Sequence, residues 1–334
     1  MPQFPLAVRN CGFGVAVSLM MRSLPYALMR FVVLAAYSLA TLAWLIVMVV
    51  GAIWSGTHIA TAFGFVWFFA FLAIGGGLWA MLLRYALHLI ECGHVAVLTE
   101  LITRGSIGNG SESMFTYGKR IVTERFGEVN ALFALNLLVR GVVNVVNRVI
   151  EGVTSLIPIP GLSTLASFIA AVFRAATRYL DKAVFAYNLT RPDVNPWSGA
   201  RDGLIYYAQN AKPILKQAVW IVVLDFVLSV VLWLVLLALA VAVTLALPPT
   251  MREVGGAIGA VLAILLALAV RGAFLKPLFL IMIVTRFLTL IEAQEVNQQW
   301  VERLNQMSGK FRDLGNKAAA FTSEKTPTPD APTA

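Results

Sequence analysis

Four long apolar runs limit what this chain can fold into. They cover residues 31–54, 61–83, 219–247 and 254–270, and Asp225 is the only formal charge inside any of them. As a helix, about 18 to 20 apolar residues cross the roughly 30 Å hydrocarbon layer of a bilayer. The runs therefore predict four transmembrane spans in an all-α, polytopic integral membrane protein.

The composition excludes the ordinary soluble classes. The 334 residues are 59% hydrophobic and only 13% charged, whereas soluble domains are roughly 25% charged. The net charge is +9, but the basic residues flank the apolar runs, where such residues meet lipid headgroups. We therefore expect membrane lipids, including anionic ones, as partners and no nucleic acid. The sequence leaves homo-oligomer formation open.

The distribution of charge predicts the domain order and the topology. Residues 1–30 contain Arg9, Arg22 and Arg30, which by the positive-inside rule place the N-terminus in the cytoplasm. An even number of spans returns the C-terminus to the same side, and the expected location is a bacterial inner (plasma) membrane. The membrane domain covers residues 31–291. A cytoplasmic amphipathic helix is expected over residues 292–316, and a disordered tail over the polar, proline-rich residues 317–334.

Two basic regions within the membrane domain predict cytoplasmic interfacial helices. They cover residues 84–128 and 174–217. The second region is also rich in aromatic residues, which are typical of a belt at headgroup level. These aromatic residues are Tyr179, Phe185, Tyr187, Trp197, Tyr206 and Tyr207.

Between these regions, residues 129–172 predict a polar-striped helical hairpin. Asn136, Arg140, Asn144 and Asn147 recur at helical spacing, so they share one face. In lipid such a face must turn towards protein or water. The hairpin is either re-entrant or crosses the bilayer fully with its polar stripe lining the interior.

Motifs for catalysis and for cofactors are scarce. The sequence contains no Walker A loop, no G-x-S-x-G, no H-E-x-x-H and no C-x-x-C. His88, Glu91 and His94 would share one broad helix face, and these residue types can bind metal. We interpret them instead as polar residues at the edge of the bilayer. We therefore predict no enzyme, no cofactor and no assigned metal.

Asp225 is the strongest single candidate for a functional residue. A carboxylate inside an apolar run is costly, so it normally faces a cavity, a basic partner or a proton path. It would bind a cationic substrate or couple a proton, or it would pair structurally with Arg140 or Arg148. Near the interface it would instead reach water.

Aromatic side chains offer a second means of binding a cation. Quaternary ammonium groups are attracted to aromatic faces, and aromatic residues of suitable depth accompany Asp225. Packing and belt roles compete with this interpretation. The predicted substrate-binding residues, besides Asp225, are Trp220, Trp79, Tyr85 and Tyr207, with Trp67 and Trp233 as further candidates.

Several segments from about residue 83 onward, taken in order, resemble the choline transporter-like family. The most specific is the phrase Arg178-Tyr179-Leu180-Asp181-Lys182-Ala183-Val184-Phe185, similar to the family's basic-aromatic-Leu-Asn-basic-x-Ala-Tyr phrase. The family's cysteine-rich segment is replaced here by residues 157–161, and two predicted spans precede the matched region. The other similar segments are 79–99, Thr103-Arg104, 117–150, 198–202, Gln209-Asn210, 272–274 and 288–295.

The resemblance implies a transporter-like fold and, as an expectation, transport of a small cationic or zwitterionic solute such as choline. The competing hypothesis is a non-transporting membrane scaffold. Its basic cytoplasmic helices, with Arg174, Arg178 and Lys182, would bind anionic lipid or a partner protein.

Overall fold

A computed structural model describes residues 3–75, 80–108, 112–126 and 163–325. The described residues are predominantly helical and contain no β-strand, which confirms the all-α prediction. The helices are α1 (Phe13–Arg22), α2 (Leu24–His58), α3 (Thr61–Ile74), α4 (Ala80–Thr103), α5 (Met114–Phe126), α6 (Ser163–Arg178), α7 (Leu180–Thr190), α8 (Pro196–Gln209), α9 (Ala211–Ala246), α10 (Arg252–Val270), α11 (Lys276–Ile291), α12 (Gln298–Met307) and α13 (Gly309–Lys325).

Within the described residues, four helical segments are long and apolar enough to cross a membrane. They are Leu24–His58, Tyr85–Thr103, Ala211–Ala246 and Pro249–Ile291. The protein is thus an integral membrane protein. Three of these segments contain the predicted runs at 31–54, 219–247 (up to Ala246) and 254–270.

The predicted span at 61–83 includes residues 76–79, which lie outside the described residues. On either side of them, helix α3 covers Thr61–Ile74 and helix α4 covers Ala80–Thr103. The fourth segment of spanning length is thus Tyr85–Thr103, in a region predicted to be interfacial. It carries fewer apolar residues than the other three and is largely packed against protein.

The chain divides into two compact units. The membrane unit comprises Leu24–Glu91 and Leu224–Leu278, and the core unit comprises Met1–Ser23, Cys92–Val223 and Phe279–Ala334. Each is described below by itself.

In the membrane unit, α2 packs against both α3 and α10. Small residues allow α2 and α3 to approach closely: a Cβ built on Gly64 would lie 2.7 Å from the Ala52 carbonyl oxygen and 3.1 Å from the Gly56 Cα. Between α10 and α11, Arg271–Leu275 form a π-helical turn that contacts α2, where Phe274 packs on Phe31 with ring centroids 5.7 Å apart. Most large apolar side chains of α2, α3 and α10 remain exposed, as lipid-facing surfaces require.

The core unit is built around α7 and α8. Every residue of α7 from Leu180 to Asn188 is buried, and α8 packs against it. Asn195 caps α8 by accepting a hydrogen bond from the Ser198 backbone N–H at 2.8 Å, and Pro196 occupies the first turn, where its missing N–H costs nothing. Helix α11 adds apolar side chains that are almost entirely buried.

These observations correct the predicted aromatic belt. Tyr179, Phe185, Tyr187, Tyr206 and Tyr207 are buried, and α7 lies inside the core unit, with no exposed interfacial face. Lys182 is buried as well and pairs with the neighbouring Asp181 carboxylate at 3.0 Å. Amphipathic sequence patterns cannot distinguish a headgroup surface from a protein partner, because both bury one apolar face.

The C-terminal helices pack within the core unit. Phe311 and Leu314 of α13 are fully buried, Arg201 lies over the Phe311 ring at 5.4 Å, and Lys317 lies over the Trp197 ring at 4.7 Å. Residues 317–325 are therefore helical, contrary to the predicted disorder, because packing against α8 stabilises a helix that would be marginal in isolation. The remaining residues of that predicted tail, 326–334, lie outside the described residues.

Candidate functional site

Asp225, the predicted intramembrane carboxylate, forms a bidentate ion pair inside the membrane unit. Arg271 donates from Nε to Asp225 Oδ1 at 3.1 Å and from Nη2 to Oδ2 at 2.5 Å. Ser229, one turn further along α9, donates to Oδ1 at 3.4 Å. The side chains are 21% (Asp225) and 36% (Arg271) exposed.

The depth of this pair follows from helix lengths. The 19 residues of α10 span about 28 Å, close to the hydrocarbon thickness, with Arg252 at one end and Arg271 just beyond the other. About 32 Å of helix separates Asp225 from Ala246 at the end of α9. The pair therefore lies near one edge of the hydrocarbon layer, where a half-exposed arginine reaches polar surroundings.

The pairing with Arg271 favours the structural alternative for Asp225 over a free binding carboxylate. The two arginines first considered as partners, Arg140 and Arg148, lie outside the described residues. So does the polar stripe of Asn136, Arg140, Asn144 and Asn147.

Of the predicted aromatic residues, Trp220, Tyr85 and Tyr207 belong to the part of the chain that the structure describes. Trp220 is 60% exposed and, five residues before Asp225 on α9, points about 140° away around the helix. Tyr85 is exposed in the membrane unit, whereas Tyr207 is buried in the core unit and donates its hydroxyl to the Ala176 carbonyl. Trp79 lies outside the described residues.

Glu91 and His94, two of the three candidate metal ligands, form other contacts. Glu91 pairs with Arg30 at 2.7 Å in the membrane unit. The buried His94 places Nε2 3.0 Å from the Ser23 hydroxyl in the core unit. In the part of the chain that the structure describes, no three His, Cys, Asp or Glu side chains, His88 included, come close enough to hold a metal ion.

A cleft in the core unit is the better candidate site. It has a volume of about 280 Å³ and is formed by the end of α4, by α5, by the end of α7 and by the N-terminal segment. Its lining residues are Phe4, Pro5, Ala96, Thr99, Glu100, Thr103, Arg104, Tyr117, Ile121, Glu124, Leu189, Thr190 and Pro192.

The N-terminal segment closes one side of this cleft. Its described residues before Phe13 form no helix, yet the backbone N–H of Val8 donates to the Ile102 carbonyl at 3.0 Å and that of Gln3 to the Glu292 carbonyl at 2.7 Å. Phe4 is buried against the edge of Tyr187, with ring centroids 6.4 Å apart. These contacts hold the Phe4 ring in the cleft wall.

Glu100 is the buried charge of the cleft. Arg104, one helical turn later, donates to Glu100 Oε1 at 3.2 Å, and Tyr117 lines the same cleft. Burial, and after it the neighbouring Glu100 carboxylate, raises the pKa of Tyr117 above its ordinary value, so the phenol stays protonated.

Glu124 supplies a second carboxylate at the rim. Arg120 bridges it, at 3.2 Å, to Glu112, at 2.8 Å, and the hydrogen bond from Arg120 lowers the pKa of Glu112. Glu124 lines the cleft, whereas Glu112 does not. The lining residues thus include two carboxylates and the cation Arg104, and the Arg120 guanidinium that pairs with Glu124 also lies over the lining Tyr117 ring.

Size and charge together suit a small organic cation. The volume lies just below the roughly 300–1,000 Å³ typical of pockets for drug-sized ligands, and aromatic rings accompany the carboxylates. One signal for this site was present in the sequence: Thr99, Glu100 and Thr103 share a helix face at the end of an apolar stretch. The other walls come from positions far away in the chain.

Comparison with protein-family models, with curated proteins and with solved structures finds no match for this chain. The function of the protein is therefore inferred from the chemistry of the site.

Proposed function

We propose that this protein binds a small cationic or zwitterionic solute, of which choline is an example, and carries it across a membrane. The observation that carries the proposal is the cleft of the core unit, where the Glu100 and Glu124 carboxylates accompany the Phe4 and Tyr117 rings. Carboxylates and aromatic faces are the groups that attract organic cations.

Two further features support a transporter over an enzyme. Four segments of spanning length provide a membrane-embedded body, and the sequence contains none of the catalytic motifs sought above. The segments after residue 83 are similar to the choline transporter-like family, and the solute of that family belongs to the class of solute proposed here. We place the protein in a bacterial inner membrane with both termini in the cytoplasm, on the support of the arginines that precede α2.

Uptake into proteoliposomes tests this function. The purified protein should give saturable uptake of radiolabelled choline or ethanolamine. Glu124→Gln should raise the KM about fivefold, since a single charge interaction near a protein surface is worth on the order of 1 kcal/mol. Glu112→Gln is the matched control, because it removes the other carboxylate partner of Arg120 without changing the cleft wall.

Absence of saturable uptake, together with no rise in melting temperature at high solute concentration, would sink the proposal. A solute at about 100 times its Kd stabilises the folded protein by roughly 2.7 kcal/mol, so a rise in melting temperature would reveal binding even without transport. Binding without transport would restrict the proposed function to solute binding.

A specific observation supports a second candidate function, a scaffold that binds anionic lipid. Arg174 and Arg178 of α6 are exposed one turn apart, and Lys212 and Lys216 are exposed on the face of α9 that continues to Trp220. Cations followed by tryptophan are typical of a headgroup boundary. Lys182, also predicted to contribute, is buried in its ion pair.

Vesicle binding separates this candidate from transport. The double variant Arg174→Gln/Arg178→Gln should weaken the preference of the protein for phosphatidylglycerol over phosphatidylcholine, with solute uptake unchanged. Lys310→Gln, an exposed charge paired with Asp313 at 3.6 Å, serves as the control. An unchanged lipid preference in the double variant would remove the scaffold hypothesis in this form.

A further inference from the structure

We infer that the cleft selects small protonated amines that carry N–H donors, such as ethanolamine, over quaternary ammonium ions such as choline. The inference rests on the proposed function in taking this cleft as the solute site. It goes further by naming the class of cation from the hydrogen-bonding capacity of the wall.

The threonines of the wall present acceptors to the cleft. Thr99 donates its hydroxyl to the Val95 carbonyl at 2.7 Å, and Thr103 donates to the Thr99 carbonyl at 2.8 Å. Thr190 donates to the Tyr187 carbonyl, also at 2.8 Å. Because a hydroxyl has one hydrogen and two lone pairs, each of these oxygens retains only acceptor capacity for a ligand.

Several other donors of the wall are occupied or missing. The Arg104 backbone N–H donates to the Glu100 carbonyl at 2.8 Å. Pro5 and Pro192 have no backbone N–H to offer. The Arg104 guanidinium, mostly exposed, uses one of its five N–H groups for Glu100. Apart from the remaining N–H groups of Arg104 and the Tyr117 hydroxyl, a ligand in this cleft meets oxygen acceptors.

The aromatic part of the wall does not form a cage for a quaternary ammonium ion. Phe4 and Tyr117 are the two aromatic side chains among the described lining residues. The Arg120 guanidinium already lies over the Tyr117 ring, 5.5 Å from its centroid. A bound cation would have to share that ring with a like charge, which leaves Phe4 as the main aromatic surface.

A protonated primary amine matches this wall better than a methylated one. Its N–H groups can donate to carboxylate and hydroxyl oxygens, and charge-assisted hydrogen bonds are roughly twice as strong as neutral ones. A quaternary nitrogen shields its charge with methyl groups and donates no hydrogen bond. It would leave the acceptors of the cleft without a partner, and binding sites discriminate strongly against ligands that leave their polar groups unpaired.

The test is a series of ligands that differ only in N-methylation: ethanolamine, N-methylethanolamine, N,N-dimethylethanolamine and choline. Binding is measured by calorimetry on the full-length protein in lipid nanodiscs. We expect the Kd to rise along the series, with choline bound at least about tenfold more weakly than ethanolamine, since one hydrogen bond to a charged group accounts for that factor.

One variant tests the acceptors directly. Thr103→Val keeps the shape of the side chain and removes the oxygen, so it should weaken ethanolamine binding about tenfold, leave choline binding unchanged and reduce the discrimination. Thr123→Val is the matched control: this exposed hydroxyl also bonds a carbonyl one turn back, that of Lys119 at 2.9 Å, but does not line the cleft.

The outcomes separate this inference from the proposed function. Choline binding equal to or tighter than ethanolamine binding, still weakened by Glu124→Gln, would overturn the inference and leave the proposed function standing. Discrimination that survives Thr103→Val unchanged would overturn the acceptor argument. If no member of the series binds, both fail.

Discussion

The two units of this protein treat the same kind of side chain in opposite ways. In the core unit Phe287 is 0% exposed and packs on Tyr207, with ring centroids 5.6 Å apart, whereas in the membrane unit Phe226 is 70% exposed. Contiguous apolar surface of this extent is not stable in water. The membrane unit therefore needs lipid as its surrounding medium, while the core unit supplies its own apolar interior.

The comparison shows the limit of hydropathy as a guide. The Tyr85–Thr103 segment and the Ala211–Ala246 segment both qualify as spans by length and composition, but their apolar windows are 67% and 0% buried in protein. Hydropathy counts the apolar residues of a helix and does not reveal whether lipid or protein covers them.

The largest expected difference between the two units is in the free energy of unfolding lost when a phenylalanine is truncated. Phe287→Ala should lower the free energy of unfolding by about 3–5 kcal/mol, because a large cavity remains in a packed interior. Phe226→Ala, the matched variant in the membrane unit, should change it by less than about 1 kcal/mol, since lipid fills the space. Unfolding in mixed detergent and SDS measures both, and equal losses would contradict the division of roles.

Helix approach in the membrane unit gives the next largest effect. Gly64→Ala should destabilise the protein by about 1–3 kcal/mol, since its Cβ would press on the Ala52 carbonyl. In the core unit, a Cβ on Gly14 meets nothing within 4 Å, so Gly14→Ala should be neutral or stabilise α1 by up to about 1 kcal/mol. Thermal unfolding compares the two, and a neutral Gly64→Ala would refute the close α2–α3 contact.

The ion pair of the membrane unit should matter for stability and not for solute affinity. Asp225→Asn should cost about 1–2 kcal/mol, reduced by the partial exposure of the pair, and should leave the Kd for ethanolamine within about twofold. Arg271→Gln should cost a similar amount, and the double variant less than the sum. A large rise in Kd for Asp225→Asn alone would instead return Asp225 to the solute path.

The smallest expected effect concerns a partly buried carboxyl in the core unit, that of Asp202. Burial raises the pKa of Asp202, and the charges of Arg201 and Arg191 offset only part of this. Because its folded pKa exceeds the unfolded value, stability falls as the pH rises through the folded pKa. Asp202→Asn should therefore raise the melting temperature at pH 7 by about 1–3 °C. The gain should vanish below the unfolded pKa, near 3.9, and a gain independent of pH would exclude this cause.

Two of the segments that carry the family resemblance have structural roles in the core unit. Gln209 and Asn210, part of the family-like pattern, hold the loop after α11: both donate to Gln294 Oε1, at 2.9 and 2.7 Å. The charged phrase that begins at Arg178 forms the buried helix α7. Both segments stabilise the core unit, and neither lines the cleft.

The sequence by itself determined the membrane class and the all-helical architecture, because run length and the scarcity of charge are local properties that a bilayer reads directly. It also singled out Asp225 as a carboxylate that needed a partner. Only the tertiary structure decided that this partner is Arg271, and that Phe4, Glu100, Glu124 and Thr190 line one cleft. Those positions are far apart in the chain, and their proximity depends on helix packing, which no spacing along the sequence encodes.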